Sequence, residues 1–458
     1  MSERLALIGF VNSEQVIADT IKQQTPEVTV DGYTLFPNRA FERTVDNVYR
    51  LYEEDEDSLT ESELAKIGPR NYSAVNLGPD TAVILLEDRL QESGASYIGA
   101  RKDELVFELD KTKIFDLFPD TTGILPPTQI LESSNDDVIK NALSSVGEDA
   151  VIKFVGDYSD YYKDSEYRRV RFISEFNSDF TELKAFIADS ITSSGKAIIQ
   201  KRVVGQEFSY TCIVDENFGQ FRLGENIFYK RRFEGDEGPL CDGTGSLSIA
   251  NTLPGILDND DIEYIQSNIV GRYIEGMAEE TGRAPRTFLN VDLMKDETGR
   301  VYLIEVNHRP PGGHTMSTLL AGLDTPIAEV LCAAQEDRLN EVVPRYKDGA
   351  TVAVTVFPEI SPRDFSETDH RPVIDIPHNL PGDKVRLYTG WVNVIDENKQ
   401  FSRVESNLTA TIIAVAHESS LHRAREATYT RIRQLSLENS GLTYRRDIGL
   451  HVPKLGLV

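Results

Sequence analysis

Cysteines and long apolar runs are scarce in this sequence. Its 458 residues include three cysteines, which are isolated from one another and form no C-x-x-C pair. A disulfide framework is therefore not predicted, and a reducing compartment is favoured. The apolar run near the first residue is too short for a signal peptide, and no later run approaches the length of a membrane span. We therefore expect a cytoplasmic protein without a membrane partner.

Basic residues are also in the minority. The chain has 48 Lys and Arg against 75 Asp and Glu, which gives a formal net charge of −27. Such a charge repels the phosphate backbone of nucleic acids, so no nucleic-acid partner is predicted. Composition alone does not separate a salt-rich host from ordinary solubility. An apolar content of 40% is enough to build hydrophobic cores, and the length suits two to four domains.

Two glycine-rich nucleotide motifs are absent. Residues 5–10 form a short apolar strand followed by a helix start, an order typical of a doubly wound α/β domain. No G-x-G-x-x-G follows this strand, so a dinucleotide site is not indicated. A later apolar strand, residues 150–155, carries Lys153, but the polar segment after it offers only Gly156. Lys153 either binds a phosphate or lies on an edge strand and reaches solvent.

The most informative stretch is RTFLNVDLMKDETGRVYLIEVNHRPPGGHT, residues 286–315. Two runs rich in β-formers, residues 288–294 and 301–306, flank a KDETGR segment that carries turn residues. The pattern therefore predicts a hairpin. With the TG dipeptide as its turn, Glu297 faces Arg300.

Counting back along this hairpin brings polar side chains together. Asp292 then lies opposite Glu305, and Asn290 lies opposite Asn307, all on one face of the two strands. Carboxylate and amide oxygens are hard ligands that suit Mg²⁺ carrying nucleotide phosphates. A solvated strand face often carries the same residue types, so this alternative stays open.

Two further segments contain polar groups suited to a ligand. Residues 197–214 read as two strands around a turn, and Glu207 follows the turn. Residues 223–255 combine a glycine-rich loop with the basic residues Lys230, Arg231 and Arg232. This loop either cradles an anionic ligand or is a mobile surface loop. Strands and one helix after residue 349 favour a compact α+β unit.

The hairpin and its continuation resemble the ATP-grasp superfamily. The superfamily pattern D/E…E-x-N-x-R is matched by Asp292, Glu305, Asn307 and Arg309. Other segments, in chain order, resemble motifs of one branch, glycinamide ribonucleotide synthetase (phosphoribosylamine–glycine ligase). These segments are NLGPD, YIGARKDELVFELDKTKIF, VIKFV, VVGQEFSY, YKRRFEGDEGPLCDGTGS and YRRDIG. The likeness therefore runs nearly from end to end.

The resemblance implies roles for individual residues. The family motif fGPs…a.lE.SK.f places a first ATP-contacting lysine at Lys113, and the match of VIKFV to vIKadG places a second at Lys153. Glu207 is the acid expected on the ribose side, and Lys230 joins the nucleotide-binding set. The glycine-rich loop matches DHKR…dGD.GPNTGGMG, with Lys230, Arg231, Asp236, Gly238 and Pro239 in register.

The metal and the reacting groups follow from the same likeness. Mg²⁺ or Mn²⁺ is expected on Asp292, Glu305 and Asn307. Arg309 and Arg231 are expected to face the acyl phosphate or the substrate carboxylate. The implied cofactors are ATP and the metal ion.

The sequence departs from the family pattern at three places. The family's G-x-GGREHA, which holds the phosphoribosyl phosphate, is replaced by GFVNSE, residues 9–14. The glycine-rich loop after Lys153 is absent, and NxRfGDPEtQ is replaced by NHRPPGGHTMS. Side chains on residues 10–12 disfavour a phosphate-binding nest. We therefore expect an amine substrate other than phosphoribosylamine.

Together these observations predict an α/β protein of four parts. They are a doubly wound N-terminal domain (1–112), a first ATP-grasp subdomain (113–196), a second with the metal site (197–345) and a small C-terminal α+β domain (346–458). The implied function is an ADP-forming, ATP-dependent carboxylate–amine ligase that works through an acyl phosphate. The alternatives are a genuine phosphoribosylamine–glycine ligase and a non-catalytic nucleotide-binding relative. Small-molecule carboxylate and amine substrates are expected, and the chain is a monomer or a homodimer.

Overall fold

A computed structural model of the chain describes most of its length. The described residues are 3–9, 12–35, 38–51, 72–78, 80–92, 94–118, 123–147, 149–155, 170–176, 180–241, 243–250, 252–360, 370–380, 382–390, 392–398, 400–406 and 410–450. Phe10, Val11 and residues 156–169 of the polar segment after Lys153 lie outside them. No helix within these ranges is long and apolar enough to cross a membrane.

The strands are numbered in chain order. They are β1 (Arg4–Gly9), β2 (Thr29–Thr34), β3 (Asn47–Arg50), β4 (Ala74–Leu77), β5 (Thr128–Leu131), β6 (Ala150–Phe154), β7 (Val170–Phe172), β8 (Ala197–Lys201), β9 (Gly205–Val214), β10 (Gln220–Phe228), β11 (Arg231–Phe233), β12 (Glu237–Leu240), β13 (Gly245–Ile249), β14 (Thr287–Asp296), β15 (Val301–Asn307), β16 (Ala350–Pro358), β17 (Val373–Pro377), β18 (Val385–Thr389), β19 (Val392–Glu397), β20 (Phe401–Ser406), β21 (Ile412–Glu418) and β22 (Leu442–Tyr444).

The helices are numbered in the same way. They are α1 (Asn12–Gln24), α2 (Arg39–Thr44), α3 (Asp80–Glu92), α4 (Lys102–Leu109), α5 (Ile114–Leu117), α6 (Asp136–Val146), α7 (Phe180–Ser194), α8 (Asn259–Tyr264), α9 (Arg272–Thr281), α10 (Gly313–Gly322), α11 (Ile327–Gln335) and α12 (Leu421–Arg433). A π-helical segment, Ile265–Gly271, joins α8 to α9. Short 3₁₀ turns cover Ile173–Phe176, Glu234–Asp236 and Leu339–Glu341.

The N-terminal strands form a parallel sheet in the order β3-β2-β1-β4. Strand β1 is buried on both faces, since Leu5 and Leu7 pack into one apolar cluster while Ala6 and Ile8 pack into another. Such two-sided burial is typical of parallel sheets covered by helices. The predicted doubly wound opening is confirmed.

A second sheet has the order β5-β8-β6-β7. Strand β6 lies inside it, between β8 and β7, so the edge-strand alternative for Lys153 is wrong. Residues 197–201 form β8 of this sheet, although the sequence division assigns them to the following subdomain. The reason is local, because β8 pairs with both β5 and β6 before the chain leaves the sheet at residue 202.

The largest sheet has nine strands. Its order is β15-β14-β9-β10-β13-β16-β21-β18, and β22 pairs with β16. Strand β16 is buried along its whole length and joins β13 to β21. Residues beyond 346 therefore continue the sheet that carries β14 and β15, in contrast to the separate C-terminal unit expected from the sequence. Strands β17, β20 and β19 form a smaller sheet of their own, whose buried residues share an apolar cluster with the large sheet.

The predicted hairpin is present, with one difference in its turn. Asp292 pairs with Glu305, and Asn290 pairs with Asn307, as predicted. At the turn, however, Asp296 rather than Glu297 faces Arg300. The register shifts between Asp292 and Leu293, so a bulge in β15 restores the predicted pairing at the carboxylates.

Candidate nucleotide and metal site

Asp292 and Glu305 form the centre of the site. Asp292 is 7% exposed and accepts hydrogen bonds from Ser209 Oγ at 3.0 Å and Asn290 Nδ2 at 3.2 Å. Ser209 lies on β9 and Asn290 lies on β14. Strand β14 is hydrogen-bonded to β9 on one side and to β15 on the other. Asn307 is also buried. The sheet therefore fixes two carboxylates and an amide on adjacent strands.

Three lysines from separate parts of the chain converge on these carboxylates. Lys230 Nζ lies 3.1 Å from Asp292 Oδ2 and 2.8 Å from Glu207 Oε1. Lys111 Nζ lies 3.0 Å from Glu305 Oε1. Lys153 Nζ donates to the carbonyl oxygen of Ile304, the extra residue of the β15 bulge, at 3.3 Å. The bulge thus offers Lys153 a carbonyl beside Glu305.

The charges of this cluster shift one another's pKa values. Burial alone would raise the pKa of Glu305, but Lys111, Lys230 and Lys153 outweigh burial and lower it to about 2. Burial, with repulsion from Lys111, lowers the pKa of Lys153 to about 8. Burial opposes the charge of Lys230, yet Asp292 and Glu207 hold its pKa above the ordinary value. Lys153 is therefore a buried cation with little compensation, whereas Lys230 is held by two carboxylates.

Lys111 contacts a central carboxylate, whereas Lys113 pairs with a residue of its own segment. Lys113 Nζ instead lies 3.3 Å from Asp116 Oδ2 at the start of α5, and both side chains are exposed. The expected approach of Lys113 to the carboxylate pair is therefore not seen among the described contacts, and Lys111 is proposed for the nucleotide contact in its place. The family motif E.SK.f fits the segment at Lys113, because Thr112 and Phe115 take its Ser and Phe positions, so the motif does not point to Lys111.

The two arginines predicted to act on the substrate are placed differently. Arg309 Nε lies 3.4 Å from Glu108 Oε1, and Glu108 Oε2 accepts the backbone N–H of His308 at 2.8 Å. Glu108, which sequence reasoning missed, therefore fixes the segment after Asn307. Arg231 donates to the carbonyl of Gly238 at 2.8 Å. Its expected role towards the acyl phosphate or the substrate carboxylate stays a prediction.

The donor set fits a magnesium ion that is shared with a phosphate ligand. Within the described ranges, no group of three or more His, Cys, Asp and Glu side chains is arranged to hold a metal. Mg²⁺ commonly takes one or two carboxylates and completes its shell with water and substrate phosphates. Asp292, Glu305 and Asn307 supply that kind of incomplete set. They remain the predicted ligands.

Side chains at the start of α1 pack against the end of β1 and contact α10. The carboxyl group of the fully buried Glu14 packs against two glycines, since a Cβ on Gly9 or on Gly78 would lie within 3 Å of it. Asn12 Oδ1 accepts the backbone N–H of Gly313 at 3.0 Å. Asn12 thus links the N-terminal sheet to the first residue of α10.

Comparisons with known proteins agree with this architecture. Residues 170–312 match the family described as Phosphoribosylglycinamide synthetase, ATP-grasp (A) domain. A phosphoribosylamine–glycine ligase of Methanopyrus kandleri is 25% identical, with 98% of this chain and 96% of that protein covered. One from Methanococcus maripaludis strain C5 is 26% identical, with 99% and 97% covered.

Solved structures extend the likeness to the whole fold. The phosphoribosylamine–glycine ligase of Thermotoga maritima has a TM-score of 0.72 at 19% identity, with 97% of this chain and all of that chain covered. The biotin carboxylase domain of a Hydrogenobacter thermophilus 2-oxoglutarate carboxylase, solved with MgADP and bicarbonate, has a TM-score of 0.67 at 13% identity, with 95% and 90% covered.

The fold is that of ATP-grasp ligases, and residues 170–312 match an ATP-grasp domain. Along nearly its whole length the chain is similar to phosphoribosylamine–glycine ligases. The resemblance predicted from the hairpin and its flanking motifs is therefore confirmed.

Proposed function

We propose that this protein is an ATP-dependent, ADP-forming carboxylate–amine ligase. The observation that carries the proposal is the convergence of Lys111, Lys153 and Lys230 on Asp292 and Glu305. Lys153 is buried without an ion pair among the described contacts, which is costly, and a polyphosphate placed beside it and Lys111 would compensate its charge. The lysines come from three separate segments, which favours a ligand-binding role over local stabilisation.

The residues act mainly by position and charge. Lys111 and Lys153 would neutralise phosphate oxygens, while Lys230 keeps Asp292 and Glu207 at fixed positions. Asp292, Glu305 and Asn307 would hold Mg²⁺, which supplies further neutralisation of the phosphates when it is bound. Arg309, held by Glu108, is the nearest candidate for orienting a substrate carboxylate.

The chemistry needs no protein nucleophile. A carboxylate is a poor electrophile, so its oxygen first takes the γ-phosphoryl group of ATP to give an acyl phosphate and ADP. An amine then attacks the acyl carbon, the C–O bond to phosphate breaks, and an amide and inorganic phosphate are released. Excluding water from the acyl phosphate is the remaining task of the folded chain.

The substrate pair that the relatives favour is glycine with phosphoribosylamine. The curated and structural relatives bearing that name support it, and they give no support to the predicted different amine. A second candidate, another primary amine, is favoured by one observation. Asn12 replaces a glycine of the family turn, and its side chain is engaged with Gly313.

One assay separates these possibilities. ADP release is measured with ATP, Mg²⁺, glycine and phosphoribosylamine generated in place, and in parallel with a panel of other carboxylates and amines. Turnover with the first pair supports the ligase of the relatives, and turnover with another pair alone supports a changed amine. ATP binding without turnover on any pair would contradict the ligase and favour the non-catalytic alternative.

A further inference from the structure

The segment between β11 and β12 is a small hairpin that needs external support. Its two strands, Arg231–Phe233 and Glu237–Leu240, form a sheet of their own. A two-stranded hairpin is at best marginally stable alone. Its turn carries a further cost at one position, since the non-glycine Asp236 has a positive φ of 56°, whereas Gly235 adopts its φ of 72° freely.

Arg445, near the C-terminal end of the described chain, supports this turn from outside. Its side chain is 2% exposed, and its Nη1 donates to Asp236 Oδ1 at 2.7 Å and to the carbonyl of Arg231 at 3.0 Å. The carboxylate of Asp447 accepts hydrogen bonds from Nε and Nη2 of the same guanidinium, at 2.8 and 2.6 Å. The guanidinium of Arg445 therefore hydrogen-bonds to the first strand of the hairpin, to the turn of the hairpin and to Asp447.

Two further hydrogen bonds between residues 446–447 and the hairpin run from a backbone N–H to a side-chain carboxylate. Gly235 N donates to Asp447 Oδ2 at 2.9 Å, and Arg446 N donates to Glu234 Oε1 at 3.1 Å. The segment is itself anchored, because Tyr429 on α12 donates to the carbonyl of Arg445 at 2.8 Å. The hairpin is thus held by the segment that follows β22, and α12 anchors that segment.

This support matters because the hairpin begins beside the candidate site. Lys230, which immediately precedes β11, contacts Asp292 and Glu207. Arg231 lies 5.7 Å from the ring of Phe172 on β7, in the sheet that also carries Lys153. A shift of the hairpin would move Lys230 away from the carboxylates and change a contact with the neighbouring sheet.

We propose that Arg445 is a positioning residue that holds the β11–β12 hairpin, and with it Lys230, in the geometry the reaction needs. The kinetic part of this inference rests on the proposed ligase activity, whereas the structural part does not. Lysine at 445 keeps the positive charge but cannot reach Asp236, Asp447 and a carbonyl together, since it lacks the planar fork.

The test compares Arg445→Lys with wild type by amide hydrogen exchange, ATP binding and steady-state kinetics. We expect exchange in residues 231–240 to rise about tenfold, while residues 286–307 stay protected. We expect kcat to fall about tenfold or more, with KM for ATP within about twofold, since a displacement near 1 Å can cost a hundredfold.

A second variant and a control keep the result interpretable. Asp236→Asn keeps a residue that tolerates the left-handed turn but removes the carboxylate, and it should change exchange and kcat in the same direction. Arg403→Lys breaks a similar two-contact pair with Asp375, at 2.7 and 2.8 Å, in the separate sheet β17-β20-β19, and should change neither.

Three outcomes would overturn the proposal. They are wild-type exchange in both hairpin variants, unchanged kcat despite raised exchange, and a general loss of protection and ATP binding in Arg445→Lys with no effect in Asp236→Asn. Absence of wild-type turnover on every substrate pair would instead count against the ligase activity, and the exchange data would still decide whether Arg445 holds the hairpin.

Discussion

Lys111 Nζ lies 3.0 Å from Glu305 Oε1, although 194 positions separate the two residues in the chain. The contact joins the turn that follows α4 to the middle of β15. It therefore brings a cation from the N-terminal third of the protein onto a carboxylate of the largest sheet. Lys113, two residues further on, faces Asp116 instead.

This difference gives a matched pair of substitutions. Lys111→Met should weaken ATP binding at least tenfold, because a charge-assisted contact to a phosphate is worth about 1.5–3 kcal/mol. Lys113→Met removes an exposed ion pair and should leave ATP affinity within about twofold. Isothermal titration of both variants checks the assignment. Equal losses in the two variants would contradict it.

Lys153 should be important for binding but not for folding. Lys153→Met should weaken ATP binding while the melting temperature stays the same or rises, since a buried ammonium costs free energy that an apolar chain does not. The matched control is Lys201→Met on neighbouring β8, whose side chain is exposed. Unchanged ATP affinity in the Lys153 variant would refute its role.

Glu305 should make nucleotide binding depend on the metal ion. In wild type, removing Mg²⁺ with a chelator should weaken ATP binding by roughly 10–100-fold, and Glu305→Gln should abolish most of that difference. Asp296→Asn serves as the control, because that carboxylate accepts bonds from Thr298 and Arg300 within the hairpin turn. A Glu305 variant that keeps the full effect of Mg²⁺ would exclude this residue as a ligand.

Glu104 on α4 should make stability fall with rising pH. Its carboxyl group is 1% exposed, and burial raises its pKa from 4.5 to about 7 despite the nearby Arg101 and Arg283. The folded state binds this proton more tightly than the unfolded state does. The resulting stability is fully present below about pH 4.5 and is lost as pH rises through 7, by about 3 kcal/mol at most.

Glu104→Gln removes this proton-linked change. Its melting temperature relative to wild type should therefore rise between pH 5 and pH 8.5, as measured by calorimetry at constant ionic strength. Asp103→Asn, which alters the exposed partner of the same Arg283, should show no such trend. A constant difference across this pH range would contradict the raised pKa of Glu104.

The hairpin illustrates what sequence reasoning can and cannot supply. The alternation of polar and apolar residues fixes which side chains share a face, so Asp292 and Glu305 were predicted on facing positions. The turn was predicted one residue away from its observed place, and the bulge at Ile304 cancels that offset. No local signal marks the bulge, because it depends on pairing between strands.

Long-range contacts account for the remaining differences between the predicted and the observed structure. The choice between Lys111 and Lys113 depends on how the end of α4 meets β15, which their similar local context does not reveal. The association of β16 with β13 depends on burial of the whole of β16 between two strands. The pairing of Arg445 with Asp236 joins residues 209 positions apart, and both are ordinary charged residues in the sequence.

The continuity of the large sheet has a consequence for shortening the chain. Strand β13 pairs with β16 through five consecutive residues, Gly245–Ile249. A protein cut near residue 346, where the sequence suggests a boundary, would lose β16 and leave the backbone of β13 unpaired at a new rim. Unpaired strand rims recruit other chains, so such a fragment should self-associate rather than survive as a small independent enzyme.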